Sequence, residues 1–252
     1  LAIDVKNAFQ GIASEQDTLV KHYEHLNEKF YKKVGVNRSI DTYKRYCVAL
    51  NHLKNFLQKK YKVRDMAFQS LNPTFVKAFD LYLRADLKMT CNTIVNIMAR
   101  LHLVIKSAMD NGLIKQDPFM DYKYLTEPLV AKCLSEEEFN LILTTPLPKD
   151  NMNLVRDVFI FSCMTGLAFS DLRNLTPENM KQAEDGVWWI HTARKKTGTP
   201  CHIPLMELPL QLIKKYCGIS DQGRLFPMLS CSKTNINLKK LSLIHISEPT
   251  RP

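Results

Sequence analysis

Three consecutive basic residues, Arg194, Lys195 and Lys196, have the types and spacing that could do chemistry on an anion. They lie in a polar segment, residues 192–200, which we call the basic turn. The segments on either side, 187–191 and 201–205, are rich in β-forming residues, so a β-hairpin is predicted with the basic residues near its tip. Such side chains can contact phosphate groups. A solvated turn that grips phosphate without specificity is the simpler interpretation.

A second polar turn lies upstream, after an apolar helical run that breaks at Gly166. Ser170 and Asp171 occupy this turn, and Thr176 with Pro177 marks the next break. Short polar side chains accept hydrogen bonds from the free N–H groups at a helix start. From residue type alone, Asp171 is therefore expected to cap a helix.

The composition favours an anionic partner. The 252 residues carry a net charge of +10 and have a pI of about 9.2. Basic proteins bind polyanions through counterion release, although charge alone fits a merely soluble basic protein equally well. No apolar run approaches the roughly 20 residues that span a membrane. The start of the sequence shows no signal-peptide pattern.

Metal and disulfide chemistry are not expected. The seven cysteines include no CxxC pair, which argues against a zinc ribbon and a disulfide framework and fits a reducing cytoplasm. His22 and His25 are spaced i, i+3 with no further ligands nearby, so they are interpreted as a solvated helix face rather than a metal site.

The elements before residue 120 are predicted to be helices packed as a bundle. Residues 1–35 show helical periodicity. A second helix begins after Ser39, a third after Asn72, and a fourth runs from Thr90 to Gly112. Polar and basic residues near these helix starts are the candidate phosphate contacts, although an ordinary solvated helix face is as good an interpretation of each one singly. These candidates are Lys44, Arg45, Lys88, Thr90, Asn92, Asn96 and Arg100.

The second half begins after residues 121–133, which lose periodicity and are predicted to be an interdomain linker. Ser135 and Glu138 then form a capping-box pattern. Residues 241–252 continue no pattern and are interpreted as an artefactual tail; the opening residue, Leu1, suggests a fragment. Around the hairpin, helices are predicted over residues 154–164, 210–216 and 235–241.

Three stretches resemble the tyrosine recombinases, also called phage integrases. Residues 165–175, TGLAFSDLRNL, are similar to the family's first signature box, TGLR-x-S-[ED]-L-x-x-L. The basic turn, with R-K-K-T and the following I-P-L at 203–205, is similar to its hairpin motif, R-x-K-T before [IV]-P-L. Residues 90–93 and 111–119 resemble the start and end of its SAM-like core-binding domain. The resemblance spans roughly residues 15–240.

The resemblance implies a mainly α fold with two domains. Residues 36–120 would form the helical-bundle, SAM-like core-binding domain. Residues 134–240 would form the first half of an α+β catalytic domain with a small β-hairpin or sheet. Residues 1–35 are predicted to be a linker helix that enters the first domain and leaves room for an arm-binding domain upstream.

The resemblance also implies a reaction. In this family a tyrosine attacks the DNA phosphate and forms a 3′-phosphotyrosyl bond, with no metal or cofactor. Lys196, or the adjacent Lys195, would protonate the leaving 5′ oxygen, and Arg194 would contact DNA. Asp171 would brace the site. Ala168 stands where the family has the arginine that clamps the phosphate.

Part of the family's active site is missing from the sequence. Arg173 could replace the clamp charge from the same turn, although a surface helix arginine is an equally good interpretation. The second box, His-x-x-Arg, has glutamate at its arginine position, Glu248 after His245. The last tyrosine is Tyr216, which lies before the nucleophile's expected place and is predicted to be in the core.

Two functional hypotheses follow. The first is a fragment of a site-specific recombinase that binds double-stranded DNA and acts, at full length, as a homotetramer in the bacterial cytoplasm at the nucleoid. The second is a non-catalytic DNA-binding or regulatory protein that kept the clamp and lost the chemistry, as the alanine at position 168 would suit.

Overall fold

A computed structural model describes residues 18–128, 133–220 and 223–245, with the side chains of 243–245 left aside. The chain divides into two compact units, Leu1–Val130 and Ala131–Pro252. The first is helical and the second combines helices with a small sheet, so the predicted fold class is confirmed. The predictions for residues 1–17 and for most of the proposed tail, 246–252, fall outside the described residues.

The first unit consists of helices that bury one apolar face each. The four helices are α1 (Leu19–Tyr31), α2 (Ile40–Phe56), α3 (Pro73–Leu81) and α4 (Cys91–Asp110). α2 and α3 continue without a break into wider π-type turns, Leu57–Tyr61 and Tyr82–Asp86, and a short 3₁₀ turn covers Phe68–Ser70.

The predicted starts of α2 and α3 are confirmed, whereas α1 ends at Tyr31 instead of Gly35 and the cap predicted for α4 is absent. Ser39 Oγ accepts a hydrogen bond from the Thr42 N–H, and Asn72 Oδ1 accepts one from the Phe75 N–H. Thr90 occupies the predicted cap position, but its hydroxyl pairs with the Thr93 hydroxyl at 2.9 Å and does not bond a backbone N–H. The prediction that the Thr90 side chain caps α4 is therefore wrong.

The core of the first unit is centred on an aromatic cluster. The Phe56 ring lies 5.5 Å from that of Phe75, 5.0 Å from Phe79 and 5.4 Å from Tyr82, measured between centroids. Of the residues predicted to line the inner face of α4, Ile94, Met98, Leu101 and Ile105 are buried and Met109 is half-buried. Burial of this apolar surface is the main stabilising term for the bundle.

The second unit combines helices with a three-stranded antiparallel sheet. The strands are β1 (Met180–Gln182), β2 (Trp188–Ala193) and β3 (Pro200–Pro204), in the order β1-β2-β3. The predicted hairpin is β2 with β3, and the three-residue β1 was not predicted, because so short a strand carries no readable alternation. The helices are α5 (Glu136–Thr144), α6 (Asp150–Thr165), α7 (Phe169–Leu172), α8 (Glu207–Tyr216) and α9 (Cys231–His245), with a 3₁₀ turn at Pro177–Asn179.

A buried carboxylate joins two helices of this unit. Asp157 of α6 accepts hydrogen bonds from Lys215 Nζ at 2.6 Å, from the Tyr216 hydroxyl at 2.9 Å and from Arg156 Nε at 3.0 Å. Tyr216 is buried, as predicted. Burial, and then the hydrogen bond to this carboxylate, raise the pKa of the Tyr216 hydroxyl well above its usual range. The hydroxyl therefore stays protonated and structural.

The last helix differs from its prediction. α9 begins at Cys231 and continues through His245, whereas the sequence pattern predicted a helix over 235–241. Leu241, assigned to the unpatterned tail, is buried in the core of the second unit. The error arose because the apolar residues of this helix are spread around it and give weak periodicity. No helix among the described residues is long and apolar enough to cross a membrane.

Candidate nucleic-acid interface

The loop between α6 and α7, formed by Gly166, Leu167 and Ala168, sets one side of the site. Gly166 ends α6 in the left-handed region, with φ 66°, and its N–H donates to the Ser162 carbonyl at 2.8 Å. The Ser162 hydroxyl in turn donates to the Leu167 carbonyl at 2.6 Å. Leu167 is buried in the core, while Ala168 is exposed. The loop is thus held to the core through Leu167 and Ser162, and Ala168 lies at the surface.

The basic turn sets the other side, and Asp171 joins the two. Asp171 is buried, and its Oδ1 accepts a hydrogen bond from the Lys195 N–H at 3.0 Å and one from the Ser170 hydroxyl at 3.2 Å. The side chain makes no capping bond to α7, so the expectation of a simple helix cap is wrong. The carboxylate instead satisfies a backbone donor from a segment 24 residues away.

Arg194 adds a second link between the turn and the loop. Its Nη2 donates to the Gly166 carbonyl at 3.2 Å. The turn itself is closed by the Arg194 N–H donating to the Thr199 carbonyl at 2.8 Å and by the Gly198 N–H donating to the Arg194 carbonyl at 2.7 Å. Gly198 has φ 70°, which a glycine adopts without strain.

The remaining charges of the site are exposed. Lys195 and Lys196 project from the turn, and neither ammonium makes an ion pair with any described residue. Arg173 is also exposed, at the end of α7, and its guanidinium has no hydrogen-bonding or ionic partner within the described part of the chain. The structure therefore brings together Asp171, Lys195 and Arg194, and leaves Arg173 unoriented.

Three of the predicted phosphate contacts in the first unit are already occupied within the chain. The Asn92 side-chain amide bonds both backbone groups of Glu127, at 3.0 and 3.2 Å. Asn96 Nδ2 donates to the Asn92 carbonyl at 2.8 Å, and Arg100 Nη1 donates to the Asn96 carbonyl. The Arg100 guanidinium lies 5.6 Å from the centroid of the Tyr46 ring. Asn92 thus links the start of α4 to the backbone of Glu127, while Asn96 and Arg100 bond to carbonyl groups within α4.

The other four candidates remain exposed. Lys44 and Arg45 lie on the second turn of α2, and Thr90 lies at the start of α4. Lys88 is exposed in the left-handed region, with φ 50°, where a non-glycine residue is uncommon. These side chains are available to an external anion, and whether they contact one stays a prediction.

The comparisons with known proteins fall on both units. Residues 18–124 match the phage integrase SAM-like domain family. The chain has TM-scores of 0.68 with a lambda integrase dimer bound to a COC′ core site, 0.65 with the Tn1549 transposon integrase in complex with circular intermediate DNA, and 0.58 with the XerH site-specific recombinase bound to difH. In the same order, the sequence identities are 12%, 18% and 15%. The matches cover 91%, 93% and 92% of this chain, and 81%, 80% and 70% of the matched chains. No curated protein matches the chain by sequence.

The chain has the tyrosine-recombinase fold. Residues 165–175 and the β2–β3 hairpin, which carry two of the motif resemblances, lie next to each other in the second unit. The bond from the Lys195 N–H to Asp171 joins them. The clamp position carries a methyl group, that of Ala168, which contributes no charge.

A histidine pair on the hairpin was missed by sequence reasoning. His191 and His202 are cross-strand partners, with Nδ1 atoms 2.7 Å apart and ring centroids 4.6 Å apart. A hydrogen bond between them requires one Nδ1 to donate its N–H and the other Nδ1 to accept it. The signal that could have found the pair was the hairpin register, which depends on turn length. No pattern in the sequence indicated that the Asn92 side chain would form two hydrogen bonds with the backbone of Glu127.

Proposed function

We propose that the chain binds double-stranded DNA and belongs to the machinery of site-specific strand cleavage and rejoining through a 3′-phosphotyrosyl intermediate. One observation carries the proposal: the buried Asp171 carboxylate fixes the Lys195 backbone, and so sets the basic turn beside the α6–α7 loop. Phosphoryl transfer depends mainly on positioning and on cationic stabilisation of a crowded anion. The basic turn, which carries Arg194, Lys195 and Lys196, is thereby held next to the α6–α7 loop.

Lys196 is proposed as the general acid that protonates the leaving 5′ oxygen, with Lys195 as the adjacent alternative. Both ammonium groups are exposed and reach outward from a turn whose backbone is fixed. A lysine's long stem suits proton delivery to a group that enters from solvent. The lambda integrase tetramer bound to a Holliday junction has the same fold, so a tetramer on two duplexes is proposed for the complete enzyme.

The attacking tyrosine is not assigned to any residue of this sequence. Tyr216, the last tyrosine, donates its hydroxyl to buried Asp157 and is held in the core. A nicked suicide duplex, which traps covalent adducts, should therefore give no adduct with this chain. A covalent adduct at Tyr216 would contradict the assignment.

DNA binding is tested first by selecting duplexes from a random pool and measuring affinity against salt concentration. Binding should weaken as salt rises, because phosphate contacts release counterions. The K195A/K196A variant should bind more weakly and with a shallower salt slope. Lys181→Ala, an exposed lysine on β1, serves as the control. Absence of salt-sensitive duplex binding by the unmodified chain would refute the proposed function.

A further inference from the structure

One cation is held close to the uncharged position of the α6–α7 loop. Arg194 Nη2 donates to the carbonyl of Gly166, which is two residues before Ala168. This bond orients a guanidinium from the basic turn, 28 residues along the chain, over the loop. Ala168 itself is exposed and its side chain ends at the methyl group.

We propose that Arg194 supplies the cationic phosphate contact at the position of Ala168. The inference rests on the proposed function and identifies a phosphate-binding residue for it. A guanidinium has five N–H donors in a planar fork, and the Gly166 carbonyl engages only one of its nitrogens. The others can donate to phosphate oxygens, for which this planar geometry is well suited.

The surroundings of Arg194 favour an external anion. The nearest carboxylate on the loop side, Asp171, is directed to the Lys195 N–H and the Ser170 hydroxyl. Within the described residues Arg194 has no ion pair, so its charge is uncompensated. Arg194 is exposed, and no atom lies within 4 Å of the place where a side chain at Gly166 would begin.

The other cations of the site fit this role less well. Arg173 was the substitute considered from sequence, and its guanidinium is not oriented by any described residue. Lys195 and Lys196 are fixed only through the backbone of the turn. An ammonium on a free stem loses more rotational freedom on contact than a guanidinium that is already placed. Arg194 alone combines charge, planar donors and a bond to the loop.

The test measures duplex affinity with a selected site for the unmodified chain and for variants at this position. Arg194→Ala should weaken binding by about tenfold or more, the usual effect of losing a hydrogen bond to a charged group, and should lower the salt slope by about one. Arg194→Gln keeps an N–H donor without the charge and should lose as much. Ala168→Arg in the Arg194→Ala background should restore most of the affinity.

A neutral methylphosphonate at the contacted phosphate should weaken the unmodified chain and leave Arg194→Ala unaffected. Arg173→Ala is the matched control and should change affinity by less than twofold. The inference is overturned if Arg194→Ala or Arg194→Gln binds as well as the unmodified chain, or if the loss falls on Arg173→Ala instead. It is also overturned if Ala168→Arg restores nothing. Failure of the unmodified chain to bind any duplex would refute the proposed function itself, which separates the two results.

Discussion

Replacing Asp171 by alanine should release the basic turn from the α6–α7 loop. The substitution removes two hydrogen bonds, from the Lys195 N–H at 3.0 Å and from the Ser170 hydroxyl at 3.2 Å. Ser170 is exposed, so water replaces its partner at little cost. The Lys195 bond ends on a buried carboxylate, and hydrogen bonds to charged groups contribute about 1.5–3 kcal/mol. We therefore expect a loss of about 2 kcal/mol in the free energy of unfolding.

The second unit offers a specific probe for this measurement. Both tryptophans of the chain, Trp188 and Trp189, lie on β2 of the hairpin, so their fluorescence follows this unit alone. A loss of about 2 kcal/mol should lower its midpoint of thermal unfolding by roughly 6–10 °C. Asp171→Asn keeps an oxygen acceptor for the Lys195 N–H and should lose about half as much. Glu184 is an exposed carboxylate of the same unit, so Glu184→Ala is the control and should lose less than about 0.5 kcal/mol in the free energy of unfolding.

Amide hydrogen exchange separates a local effect from a global one. Exchange at Lys195 should accelerate strongly in Asp171→Ala, because this N–H loses its only partner. The same amide in Glu184→Ala should exchange at the original rate. If exchange at Lys195 is unchanged in Asp171→Ala, the carboxylate does not hold the turn, and the reasoning that links the two segments is refuted.

Three further predictions concern the scaffold. Asp157→Ala should cost about 3 kcal/mol in tryptophan-monitored unfolding, because it leaves two cations and the Tyr216 hydroxyl without their acceptor; a loss below 1 kcal/mol would contradict this. Gly166→Ala should cost about 1–2 kcal/mol from its φ of 66° alone, since no atom blocks a side chain there, and Gly112→Ala, at φ 72°, should match it. His22 is buried and not on a solvated helix face as predicted. Burial, and then the charges of His25 and Lys29, lower the pKa of His22, so protonation favours unfolding and stability should fall as pH drops below about 6.5. His22→Gln should flatten that dependence in the first unit, followed by tyrosine absorbance or exchange; an unchanged pH slope would refute the role of His22.

Local signals in the sequence predicted the elements well. The apolar face of α4, the capping oxygens of Ser39 and Asn72, and the Ser135–Glu138 capping box all depend on residues three or four apart. The Schellman end of α4 is equally local: the Gly112 and Leu113 N–H groups donate to the Met109 and Ala108 carbonyls. In each case the partner lies within one helical turn.

Long-range contacts could not be predicted in the same way. Asn92 and Arg100 were chosen as phosphate contacts because of their type and helix position, yet Asn92 bonds a backbone 35 residues away. Arg194 was predicted to contact DNA, and nothing in its neighbourhood indicated a bond to Gly166. A polar side chain near a helix start satisfies whichever groups the tertiary fold brings to it, so its role depends on topology and not on spacing.

Each bond that joins the basic turn to the segment around Ala168 has a backbone atom on one side and the side chain of Asp171 or Arg194 on the other, so the side chain at position 168 plays no part in it. The Asp171 and Leu172 N–H groups donate to the Ala168 carbonyl, and the turn and loop are joined at the Lys195 N–H and the Gly166 carbonyl. None of these bonds uses the side chain at position 168. Because the loop shape is independent of that side chain, the charge can be supplied from another segment that reaches the same place. On the proposed role of Arg194, the cation at this position comes from the basic turn and not from residue 168.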